Sequence, residues 1–79
     1  MSALASRAVA AGMLEYFLTA ICPRGPQESV QPSTLHGAYI AFCAERSQRP
    51  LTLEQFMEEC ARLLPGARGR VWRGIGLPA

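Results

Sequence analysis

Apolar side chains recur along this chain at helical spacing in three places and at strand spacing in one. Leu14, Phe17, Leu18 and Ile21 fall at i, i+3, i+4 and i+7, which predicts one apolar stripe on a first helix from about Ala3 to Cys22, within residues 1–22. Gly12 weakens its middle, and Pro23, Gly25 and Pro26 stop it. Residues 23–31 then read as a loop, with Glu28-Ser29-Val30 as a short extended piece. Pro32 suits the first turn of a second helix over 32–47, on which Leu35, Tyr39 and Phe42 stack with Ala38 beside them. His36, Glu45 and Arg46 lie elsewhere on that wheel. After the connector Gln48-Arg49-Pro50-Leu51, Thr52-x-x-Gln55 has the capping-box form and opens a third helix over 52–64. Phe56, Cys60, Leu63 and Leu64 make its buried face, and Pro65-Gly66 ends it.

The last stretch changes character. Residues 67–70 read as a turn and Val71 to Leu77 as a strand, with glycines that signal a bulge or a close backbone approach. A strand cannot stand alone, so this one needs a partner in residues 65–68, in the 28–30 piece, or in both. On plain alternation Val71, Arg73, Ile75 and Leu77 share one face and Trp72 the other, an order that a bulge at Gly74 reverses. The fold class that follows is mainly α with a small β hairpin. It is a winged helix-turn-helix in one domain, with three helices and a short C-terminal wing over 65–77. In that architecture the third helix is offered to a nucleic-acid groove and the wing touches the adjacent backbone.

Two resemblances attach to these residues. Tyr39 to Arg46, Arg49-Pro50-Leu51-Thr52, Phe56 and Arg70 to Leu77 together resemble the C-terminal winged-helix domain of phage and plasmid primase–helicases, over roughly residues 30–77. That pattern has an aromatic–Cys pair on the second helix, a Pro-hydrophobic-Ser/Thr start to the third, and a terminal Trp-x-Gly-Ile strand. Ser33-Thr34-Leu35-x-x-x-Tyr39 and the Gly-Ile ending are similar, more weakly, to the winged helix of regulatory-factor-X proteins. The first resemblance implies a DNA-binding part in replication or regulation of a plasmid- or phage-type element, with a replication protein as a partner. The chain departs from both patterns: the wing is very short, and the third helix lacks the usual basic residues. With no primase or ATPase region alongside, the expected role is that of a free-standing accessory.

Size and composition narrow the classes. A chain of 79 residues buries only about 60% of its unfolded surface, which leaves little room for a deep substrate cleft. Hydrophobic residues make up 49%, the content of a globular domain rather than a disordered one. All eight basic residues are Arg and all six acids are Glu, with a net charge of +2 and no Lys, Asp or Asn. A GC-rich genome accounts for that bias better than selection for phosphate contact. Cys22, Cys43 and Cys60 are odd in number and form no CxxC pair, which argues for apolar core thiols in a reducing compartment. Arg7 and Glu15 break the apolar N-terminal stretch, so neither a membrane span nor a secretory signal is expected, and the predicted location is cytoplasmic.

The candidate chemistry is therefore binding, not catalysis. Clustered metal ligands are missing, as are an orienting acid for a Cys–His pair and a Gly-rich loop opening a helix, so no enzyme activity, cofactor or metal is expected. The candidate nucleic-acid contacts are Arg46, Arg49, Thr52, Gln55, Arg62, Arg68, Arg70, Arg73 and Trp72, since residues 62–79 carry four arginines and no acid. Trp72 reads as a core ring or, alternatively, as one that stacks on a base. DNA, duplex or single-stranded, is the expected partner. Against this, the third helix carries Glu54, Glu58 and Glu59 on its exposed side, and only Glu54 sits where the helix dipole favours it. These three define the alternative reading: a winged helix that grips a protein through its acidic third helix and apolar first helix. The first helix is also the expected face of any homodimer.

Overall fold

A computed structural model of the protein describes the backbone of residues 3–78 and side chains from residue 8 to residue 78. The chain runs α1 (Ala3–Tyr16), a π-helical turn (Phe17–Ile21), β1 (Arg24–Val30), α2 (Pro32–Glu45), α3 (Leu53–Leu63) and β2 (Trp72–Ile75). It is mainly helical, with three helices and a two-stranded antiparallel sheet, in a layout compatible with a helix-turn-helix and wing. The first two positions of the predicted first helix lie outside the described residues.

The apolar stripe of the first helix does what its spacing predicts: Leu14, Phe17 and Leu18 are buried and Ile21 is half-buried. The π turn, closed by the Cys22 N–H donating to the Phe17 carbonyl at 3.0 Å, adds a residue to the last turn and brings Cys22 into the core as well. On α2, Leu35, Tyr39, Phe42 and Cys43 face inward. The Tyr39 hydroxyl accepts the Leu51 N–H at 2.9 Å, which ties the α2–α3 connector to the core and buries Leu51. The capping box at α3 is complete. Thr52 Oγ1 accepts the Gln55 N–H, and Gln55 Oε1 accepts the Thr52 N–H. Rings fill the centre: Phe17 packs on Phe42 at 5.0 Å, Tyr39 on Phe56 at 5.2 Å, and Phe56 stacks on Trp72 at 6.2 Å between centroids.

The terminal strand takes both predicted partners, unequally. β2 pairs with β1 (Val30 opposite Trp72, Ser29 opposite Arg73, Arg24 opposite Ile75), and a single bond runs from the Arg73 N–H to the Gly66 carbonyl at 3.4 Å. The extended piece is thus the whole of Arg24–Val30 and not 28–30 alone. Its polar run Gln27-Glu28-Ser29 carries no apolar alternation to betray it. The wing segment 65–77 contributes one strand, and residues 65–71 form a loop. Gly74 at φ +86° breaks the alternation, so Trp72 and Ile75 both point into the core while Arg73 points out.

Candidate nucleic-acid interface

The loop from Leu64 to Trp72 is closed on itself by backbone bonds. The Ala67 N–H donates to the Leu64 carbonyl, and the Gly66 carbonyl accepts the Arg68 N–H at 2.9 Å besides that of Arg73. This fold-back requires glycine at 66, because a Cβ there would collide with the Arg73 carbonyl oxygen. Arg68 and Arg70 project from the loop and Arg73 from the strand after it, all three exposed. None of them forms an ion pair among the described residues, and the nearest acid before them in the chain is Glu59. Arg24, which carried no sequence signal, sits across the sheet and donates from Nε to the Gly74 carbonyl at 3.3 Å.

The other candidates divide. The Arg46 guanidinium lies 4.0 Å over the Phe42 ring and 4.0 Å from Glu45, so it is engaged by its own helix. Arg62 donates to Glu59 Oε2 from both Nε and Nη2, at 3.1 and 2.6 Å, and this carboxylate raises the guanidinium's affinity for its proton. Arg49 is exposed on the connector. Thr52 and Gln55 form the helix cap, each accepting through its side-chain oxygen. Trp72 is 2% exposed under the Phe56 ring and has no free face for a base, so the stacking role is corrected to a core role. The misleading signal was its place beside three arginines.

The acidic candidates divide as well. Glu54 and Glu58 are exposed on α3. Glu59 is not on that exposed face, since its side chain is only 16% exposed and is occupied by Arg62. An i, i+3 Glu–Arg spacing was the sequence signal for this pair. Leu53 and Met57, one turn apart outside the Phe56–Cys60 stripe, were not singled out by periodicity and yet remain on the surface.

The thiols behave as core side chains. Burial is the largest cause in each case, pushing Cys22 up to about 11 and Cys60 up to about 12 and raising Cys43. All three are buried, free and protonated at neutral pH. Among the described residues no group of His, Cys or Glu is placed to hold a metal ion, and no helix is long and apolar enough to cross a membrane. His36 packs its ring against Phe56 at 4.9 Å, and its buried Nε2 has no hydrogen-bond partner.

No protein-family model, curated protein or solved structure matches the chain. What the domain does must be read from its own surface.

Proposed function

We propose that this domain is a nucleic-acid-binding module that grips the phosphate backbone with the loop and strand carrying Arg68, Arg70 and Arg73. The observation that carries this reading is the state of those side chains. Three exposed guanidinium groups with no ion pair among the described residues stand on a segment whose backbone is locked by the Gly66 carbonyl. Arginine's fork suits phosphate oxygens, and a pre-set loop lowers the ordering cost of contact. Helix α3 is not the element that makes this contact, because the acceptor oxygens of Thr52 and Gln55 in its first turn are held in the cap and the exposed Glu54 carboxylate repels phosphate.

The role in plasmid- or phage-type replication or regulation, with DNA and a replication protein as partners, follows from the primase–helicase resemblance. A reducing, cytoplasmic setting suits the three free thiols. The protein-gripping alternative has less support: Glu59 is held by Arg62, and the first-helix stripe is spent on the domain's own core. The test is a fluorescence-anisotropy titration with labelled single-stranded and duplex DNA at low salt. The wild-type chain binds, and the triple variant Arg68→Ala, Arg70→Ala, Arg73→Ala does not. Absence of wild-type binding, or binding untouched by the triple variant, overturns the proposal.

A further inference from the structure

A groove of about 380 Å³ opens beside the arginine loop, lined by Gln31, Pro32 and Ser33 before and at the start of α2, Leu53 and Met57 of α3, and Arg70. Two of its walls are apolar and on the surface, with Leu53 50% and Met57 36% exposed. Among the described residues Arg70 is the only charged one lining it. Exposed apolar side chains beside an unpaired cation suit a partner that is flat, apolar and anionic at one edge. The volume lies at the low end of small-ligand pockets, the scale of one nucleotide rather than of a helix.

The neighbouring face of α3 says how many strands fit. Glu54 follows Leu53 by about 100° around the helix, on the side away from the core. A duplex presents phosphates on both edges of a major groove about 12 Å wide, and the exposed Glu54 carboxylate repels whichever of them approaches the outer side of α3. A single strand keeps its phosphates on the arginine side alone. The acceptor oxygens of Thr52 and Gln55 are held in the cap, and the groove walls Leu53 and Met57 offer a base apolar contact of a kind every base accepts.

Resting on the nucleic-acid reading above, we infer that the groove seats a base of single-stranded DNA on Leu53 and Met57 while Arg70 holds the adjoining phosphate. Arg68 on the same loop and Arg73 on the strand after it carry the DNA strand onward, so single-stranded DNA is bound in preference to duplex.

The test uses the full chain and a labelled oligothymidylate of about 15 nucleotides, free or annealed to oligodeoxyadenylate, at low salt. The free strand is expected to bind more tightly. Leu53→Ala and Met57→Ala each weaken it several-fold, less than the loss of an aromatic stacking partner, and leave duplex binding unchanged. Glu54→Gln narrows the gap by raising duplex affinity. Both apolar side chains are exposed, so the Ala variants keep their fold, which thermal melts by circular dichroism verify. Duplex binding as tight as the free strand, or Ala variants that bind like wild type, overturns the groove assignment and leaves the arginine loop standing. If neither oligomer binds, both readings fall.

Discussion

Arg62 on α3 and Arg70 on the following loop are eight positions apart and both exposed, yet they live in different surroundings. Arg62 is held by Glu59 at 2.6 Å, and Arg46 is spread over Phe42 beside Glu45. Arg68, Arg70 and Arg73 have no carboxylate against them among the described residues. What separates the two groups is local acid: every glutamate of α3 lies before residue 60, and none follows. A cluster of arginines counted along the sequence is therefore not one site. Arg46 and Arg62 are neutralised where they stand, whereas Arg68 and Arg70 on the loop and Arg73 on β2 face no carboxylate among the described residues.

The sharpest way to break the contrast is from below. Trp72 and Arg73 are chain neighbours with opposite duties, so Trp72→Ala should remove about 3–5 kcal/mol of stability by opening a cavity against Phe56. In a domain of this size that leaves little folded protein. Arg73→Ala should not move the urea midpoint. Equal effects from the two would erase the distinction between the faces of β2.

Next in size, Gly66→Ala should cost about 1–3 kcal/mol, because its Cβ meets backbone and cannot be accommodated by a side-chain rotation. The loop then loses its seat on Arg73, and nucleic-acid affinity falls with it although no charge has changed. A Gly66→Ala protein with native stability and binding would show that the loop is not held as described.

The core itself carries a pH signature. Cys22 and Cys60 titrate near 11 and 12 in the folded chain against 9.0 ordinarily, so the folded state keeps protons that the unfolded state gives up above about pH 9. Stability is full below that pH and falls as pH rises towards 11–12. Urea midpoints measured from pH 7 to pH 11 should hold level and then drop, and Cys60→Ala should flatten the drop. Smallest of all, Arg62→Ala should leave nucleic-acid affinity close to wild type and move the urea midpoint only slightly, since the arginine of this ion pair is exposed. An affinity loss as large as that of Arg70→Ala would merge the two groups of arginines.

Much of the fold was legible because helices announce themselves by period. Leu14, Phe17 and Leu18, then Leu35, Tyr39 and Phe42, then Phe56 and Cys60, are buried as their spacing predicts. Thr52-x-x-Gln55 built its cap. The sheet was harder. Gln27-Glu28-Ser29 is polar throughout and pairs in part through its backbone, for which a sequence has no pattern, and Gly74 reverses the alternation on which the facing of Trp72 depends. The site was legible only as a charge count. Whether an arginine is free depends on which acid reaches it, and whether Thr52 or Gln55 faces a ligand depends on whether the helix end has claimed it. Leu53 and Met57 were illegible for a related reason, since an apolar residue one turn from its like predicts burial and cannot by itself announce exposure.

The central claim, that Arg68, Arg70 and Arg73 contact phosphates directly, is tested most directly by the salt dependence of binding to oligothymidylate. Each phosphate neutralised on a single strand contributes about 0.7 to the slope of log Kobs against log salt. The account predicts that changing the three arginines to alanine lowers the slope by about 2, and that changing Arg46 and Arg62 leaves it unaltered. A slope that the triple variant shares with the wild type would contradict it.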